Sequence, residues 1–203
     1  MQQIKNIIFD LGGVFLDISF IRSNEAFKNL GVEGFDKFIS QHHADDLFEK
    51  LEIGKISPEE FYNEFRKKVN LPLTDWQIEN AWNAMLLHFS EERMRWLEEI
   101  SKRYNIYLFS NTNKIHVDYF TKLCMQEIGK PLESYFIKAW YSNEVGVRKP
   151  YPASFSKLLE EENLLAHETL FIDDTIGNIE GAKEIGLHTV HLAAPQTVLN
   201  LDV

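Results

Sequence analysis

Four short polar clusters could do chemistry in this sequence. They are Asp10 with Leu11-Gly12-Gly13 behind it, Ser110-Asn111-Thr112-Asn113, Arg148-Lys149-Pro150, and the pair Asp173-Asp174. Carboxylates brought together from separate strands repel one another unless a cation sits between them. A hard divalent ion such as Mg²⁺ suits such an oxygen-rich set and completes its octahedron with waters and a substrate phosphate. Hydroxyl, amide and backbone donors at Ser110-Asn111, with the Lys149 ammonium, are what a phosphate dianion needs. The two glycines after Asp10 leave a backbone free of side-chain bulk, so a ligand can approach closely. The types fit metal-assisted handling of a phosphate ester, if the fold gathers them.

The elements around these clusters predict that it does. Ile7 to Phe9 is a short unbroken apolar run, as expected of a strand buried on both faces of a parallel sheet, and it stops at Asp10. Ile106 to Phe109 stops at Ser110, and Thr169 to Ile172 stops at Asp173. Two further strands are expected at 136–141 and 188–192, with helices at 90–103, 152–163 and 176–186 between them. Strands spaced by such helices imply βαβ units, whose strand ends share one edge where open sheets bind ligands. Residues 19–88 show no second buried strand. They read as helices near 23–30, 34–50, 57–69 and 74–88, with capping boxes at Ser57-Pro58-Glu59-Glu60 and Thr74-Asp75-Trp76-Gln77. The aromatic residues of these helices read as the core of a small bundle. The expected fold is α/β, a doubly wound Rossmann-like parallel core (1–15 and 89–203) with a small inserted helical cap (16–88).

Composition narrows the function class. At 203 residues the chain can bury a proper core. A formal net charge of −10 argues against a nucleic-acid or anionic-membrane surface, which wants clustered Lys and Arg. It leaves room for an anionic small molecule, because a metal ion and one or two placed cations invert the local field. The single cysteine, Cys124, cannot form an internal disulfide, which fits a reducing compartment. No apolar run approaches the roughly 20 residues of a membrane span, and no signal-like segment precedes Asp10. A cytoplasmic protein, monomer or homodimer, is the expectation.

In order, the four clusters resemble the four motifs of the haloacid dehalogenase (HAD) superfamily, over most of the chain. The insert after the first strand is similar in position to that superfamily's type I cap. More narrowly, Phe9-Asp10-Leu11-Gly12-Gly13-Val14, Ser110-Asn111-Thr112-Asn113, Arg148-Lys149-Pro150 and Asp173-Asp174 with Asn178-Ile179-Glu180-Gly181-Ala182 resemble the bacterial sugar-1-phosphate phosphatases typified by α-D-glucose-1-phosphate phosphatase. The resemblance implies an enzyme acting on a small phosphorylated metabolite, in which Asp10 attacks phosphorus and forms an aspartyl-phosphate that water then cleaves. It implies Mg²⁺ held by Asp10, the Gly12 carbonyl and Asp174, with Asp173 behind or as an alternative ligand. Ser110 and Asn111 are implied to bind the phosphoryl group, and Lys149 to neutralise charge on it and on Asp10.

Gly12 departs from the commoner pattern, in which an aspartate two residues after the nucleophile serves as general acid and base. Such a group is typically worth ~10²–10⁴ in rate. An ordered water or a hydroxyl of the substrate is expected to supply the proton instead. The alternatives are a metal-free haloacid dehalogenase, which would not need Asp173-Asp174, and a non-catalytic phosphometabolite-binding protein. Other candidates read as structural or solvated: Asp17 with Arg22, His42 and His43 beside Asp45 and Asp46, His116, His188, and the run Glu160-Glu161-Glu162.

Overall fold

A computed structural model describes residues 4–40 and 43–202, with Ser40 and His43 by backbone alone. Strand β1 (Asn6–Phe9) leads through the Gly12-Gly13 turn to β2 (Leu16–Ile18), followed by α1 (Phe20–Asn29). A two-strand hairpin, β3 (Ile39–Ser40) and β4 (His43–Ala44), precedes α2 (Asp46–Glu52), α3 (Pro58–Val69), α4 (Asp75–Asn83) and β5 (Leu86–Phe89). The remainder alternates: α5 (Glu91–Ile100), β6 (Asn105–Ser110), α6 (Lys114–Ile128), β7 (Lys138–Tyr141), α7 (Ser142–Val145), α8 (Pro152–Glu161), β8 (Thr169–Asp173), α9 (Ile176–Glu184) and β9 (His188–His191).

Five strands form one sheet in the order β7-β6-β1-β8-β9, and every pairing is parallel. Because β1 is central, it is buried along its whole length, which is why its sequence runs apolar without alternation. Ile7 and Phe9 join one apolar cluster with Leu108 and Ile172; Ile8 joins the other with Phe109 and Phe171. Phe9 lies level with Leu108 on one side and Ile172 on the other. One residue further, Asp10, Phe109 and Asp173 therefore stand abreast at the carboxyl edge.

Strands β2 and β5 pair antiparallel, Leu16 opposite Phe89, and between them run the helices α1 to α4. Phe48 is the hub of this segment. Its ring lies 5.1 Å from Phe61 and 4.9 Å from Trp82, in edge-on contacts. Trp82 in turn packs at 4.8 Å on His116 of α6, so the aromatic core runs without a break into one face of the sheet. Both capping boxes form, Ser57 with Glu60 and Thr74 with Gln77.

Two sequence expectations fail in this segment. Residues 34–50 are not one helix: a 3-10 turn at Phe35–Lys37, the β3–β4 hairpin and α2 replace it. Gly34 sits at φ 68, outside helical space, and Asp45 starts a new helix by accepting the Leu47 and Phe48 amides. The helix expected over 74–88 ends at Asn83, and 86–89 becomes a strand because β2 offers it a backbone ladder. Ile78, Trp82, Met85 and Phe89 are all buried as their spacing implied, but a helix carries only the first two. The acidic run at the end of α8 is not wholly solvated either, since Glu162 accepts the Trp140 indole N–H at 2.9 Å.

Helix α9 crosses the Lys149-Pro150 loop at Gly181, where an added Cβ would lie 1.9 Å from the Pro150 carbonyl oxygen. Alanine is the better helix former by ~1 kcal/mol, whereas forced overpacking costs ~1–3 kcal/mol. Gly181→Ala is therefore expected to lower the urea midpoint; an unchanged or higher midpoint would show that the loop yields freely.

Candidate functional site

The carboxyl edge of the sheet gathers the clusters as expected. Lys149 Nζ donates to Asp10 Oδ1 at 2.6 Å and to Asp173 Oδ2 at 2.7 Å. Its side chain is 1% exposed and runs past the rings of Phe109 and Phe171, 5.6 and 5.3 Å from the ammonium. Asp173 is fully occupied: Oδ1 accepts the Thr175 amide at 2.7 Å, and the Asn178 side-chain NH₂ reaches both oxygens at 3.1 and 3.0 Å. Asp174 takes the Thr175 hydroxyl on Oδ1 at 3.1 Å, and its Oδ2 faces Gly13. A Cβ on Gly13, which sits at φ +73, would come within 2.3 Å of that oxygen, so glycine is required there twice over.

Asp10, Asp173 and Asp174 each place a carboxylate oxygen within 4.8 Å of the others. Burial pushes Asp10 up from 3.8 to about 7; Lys149 opposes the rise and the other two aspartates add to it. Asp174 is raised as well, by burial and by Asp173. For Lys149 burial works against the charge, but Asp10 and Asp173 outweigh it and hold its pKa above the usual lysine value. Three carboxylates against one ammonium leave two formal negative charges among all-oxygen donors. That donor set fits a hard divalent cation.

Ser110 ends β6 and lines the same cavity, of about 350 Å³, as Asp10, Gly12, Lys149 and Asp174. Asn111 lines it too, but its side chain is committed elsewhere. Its Nδ2 donates to the Lys149 carbonyl at 2.8 Å, and its Oδ1 accepts the Lys149 amide at 2.9 Å. The side chain thus acts as a clamp on the lysine and is not available to a phosphate as expected. Ser142 braces the same loop, its hydroxyl accepting the Thr112 amide and donating to the Thr112 carbonyl, both at 2.9 Å. Asn113 caps α6 through the His116 amide, as its type suggested.

Several side chains of lesser promise fall away. Asp17 pairs with Arg93, which also donates to the Val14 carbonyl at 2.9 Å and so ties down the turn after Asp10; Arg22 is exposed. Asp45 caps α2 and pairs with Lys68 at 2.8 Å, and Asp46 pairs with Lys50. His42 lies outside the described residues. His116 is buried, and burial holds it down to about 3, so it is neutral. His188 approaches the His167 carbonyl at 3.2 Å. Sequence reading missed Glu52, the partner of Arg148 in the Arg148-Lys149-Pro150 cluster. Both line the cavity and pair at 3.0 Å, and burial pushes Glu52 from 4.5 up to about 7 against the pull of Arg148.

The chain matches the haloacid dehalogenase-like hydrolase family over residues 4–186. It belongs to that family. This HAD hydrolase is 33% identical to a D-ribitol-5-phosphate phosphatase of Bacteroides thetaiotaomicron, over 92% of its own length and 90% of that protein's. It superposes with a TM-score of 0.90 on a HAD family enzyme of the same organism, an aspartate-to-alanine variant in complex with magnesium and inorganic phosphate, at 33% identity and 95% coverage of both chains. A predicted HAD-like hydrolase of Porphyromonas gingivalis gives a TM-score of 0.86 at 32% identity, covering 94% of this chain and 91% of that one. No helix among the described residues is long and apolar enough to cross a membrane.

Folded Asp10 and Glu52 hold protons that the unfolded chain releases near 3.8 and 4.5, and give them up only at about 7. Their contribution to stability is therefore present below the unfolded values and is lost as pH rises through about 7. Metal-free HAD hydrolase should unfold at a lower temperature at about pH 8 than at about pH 6, and Mg²⁺ should raise the midpoint more at the higher pH. A thermal scan with EDTA or Mg²⁺ at both values checks this, and an equal effect of the ion at both would contradict it.

Proposed function

We propose that this HAD hydrolase is a Mg²⁺-dependent phosphatase that releases inorganic phosphate from a small sugar or polyol phosphate. The observation that carries the reading is the buried Lys149 ammonium shared by Asp10 and Asp173, with Asp174 beside them. Asp10, Asp174 and the Gly12 carbonyl would hold the ion, which when bound offsets charge on the phosphoryl oxygens. Asp173, already saturated by Lys149, Thr175 and Asn178, sets the position of the lysine.

Asp10 attacks phosphorus and the ester oxygen leaves with its alcohol; water then cleaves the aspartyl-phosphate and frees Asp10. Lys149 keeps the Asp10 carboxylate oriented and partly neutralised. The Ser110 hydroxyl and the Asn111 main-chain N–H take phosphoryl oxygens, so the site works by positioning and charge. Residues 16–88 act as a cap over the cavity. Kinship with a D-ribitol-5-phosphate phosphatase favours a polyol phosphate, with glucose 1-phosphate a second member of the same class to try. A polyol carries a hydroxyl beside the ester carbon, and this hydroxyl or an ordered water supplies the proton that Gly12 cannot.

Phosphate release from ribitol 5-phosphate, glucose 1-phosphate and p-nitrophenyl phosphate is the test, with Mg²⁺ or EDTA. Turnover should require Mg²⁺, and Asp10→Asn should cost ~10⁴-fold or more in kcat, as loss of a nucleophile does. Halide release from a 2-haloacid without metal would replace the reading with dehalogenation. Tight ligand binding without turnover would replace it with sensing.

A further inference from the structure

We infer that Glu52, held by Arg148, reads hydroxyl groups on the departing alcohol and makes a polyhydroxylated ester the preferred substrate over an apolar one. The inference rests on the phosphatase reading and specifies its substrate class.

The described residues of 16–88 that wall the cavity include Ile18, Phe20, Ile39, Ala44, Met85 and Leu86. Such a wall by itself suits an apolar alcohol. Glu52 interrupts it: it is the one ionisable side chain that the described residues of 16–88 add to the lining. A carboxylate buried against hydrocarbon is costly, and an apolar residue of similar size would pack there without that cost. Arg148 offsets the charge but leaves the hydrogen-bonding capacity of the carboxylate unmet. Glu52 Oε2 lies 3.0 Å from the guanidinium, yet it is buried without a hydrogen bond among the described residues. Arg148 itself reaches Glu49 only at 3.9 Å, and its Nε is buried without a hydrogen-bond acceptor.

An acceptor and a donor thus stand side by side, both short of partners. Adjacent hydroxyls, each able to donate and accept, match that pair; an alkyl or aryl group leaves both unmet. Among the described residues the charged groups around Glu52 are Arg148 and Glu49. Arg148 precedes Lys149, whose amide and carbonyl are clamped by Asn111, so the span from phosphate site to Glu52 is fixed by a rigid loop. The cavity thereby measures where along the alcohol the hydroxyls lie.

The experiment compares kcat/KM for ribitol 5-phosphate with kcat/KM for pentyl phosphate, an ester of equal chain length without hydroxyls. In the parent protein this ratio should be about tenfold to a hundredfold, the worth of one hydrogen bond to a charged acceptor. In Glu52→Gln it should fall about tenfold, chiefly through KM, and in Glu52→Leu it should move toward the alkyl ester; Glu52→Asp should recover part of it. A parent ratio near one overturns the inference, and this arm needs no variant to fold. So does a ratio that Glu52→Gln leaves unchanged while both rates fall, the mark of a merely structural pair. Absence of turnover on either ester in the parent is the separate failure of the phosphatase reading.

Discussion

A single buried ammonium holds this site together. Lys149 has almost no contact with solvent, and it neutralises carboxylates from two different strands at 2.6 and 2.7 Å. Removing such charges from water is expensive, and the attraction recovers the cost only where the geometry is tight and the remaining lone pairs are met. The fold meets those conditions one by one. Parallel register sets Asp10 abreast of Asp173, Asn178 and the Thr175 amide saturate Asp173, and the Asn111 side chain fixes the lysine backbone at both of its polar atoms. The rings of Phe109 and Phe171 flank the ammonium and exclude water. Asp174 adds a third carboxylate beside them, and the excess of negative charge suits a cation.

The inserted helices depend on the same economy of contact. Their aromatic core does not stop at β2 and β5 but passes through Trp82 and His116 into the sheet, which keeps the insert registered to the site. His116 is neutral because it is buried there, so it packs as an aromatic ring. Arg93 and the Glu52–Arg148 pair add polar links at the two places where the insert meets the loops around Asp10 and Lys149. An insert joined this way holds its side chains against the cavity with little slack.

Much of this was legible before any coordinates. Asp10, Ser110, Lys149 and Asp173-Asp174 announce themselves because each interrupts a buried strand or opens a loop, and parallel strands force such ends together. The helices with proper caps, α3 and α4, were readable from Ser57 and Thr74 alone. The stretch 34–50 was not, since its apolar spacing suits a helix as well as it suits a hairpin followed by a short helix, and only Gly34 and Asp45 hint at the break. Partners distant in sequence were beyond reach for a general reason. Nothing local marks Asn111 as the clamp of Lys149, 38 residues on, or Arg93 as the tie for Val14, 79 residues back.

The same reasoning explains why Glu52 went unseen and why it carries meaning once seen. At the end of α2, in the run Glu49-Lys50-Leu51-Glu52, it looks like one more charge on a solvated helix face. Packing instead turns it inward, against an apolar wall and beside a guanidinium that pairs with Oε2 at 3.0 Å without giving it a hydrogen bond. Stability alone gives no reason to keep a carboxylate there, because hydrocarbon would fill the place without desolvation cost. Specificity does, because an unmet acceptor favours whichever ligand brings a donor and penalises one that does not. On the proposed phosphatase reading, Lys149 with Asp10 and Asp174 would fix where phosphate sits, and Glu52 with Arg148 would decide what may be attached to it.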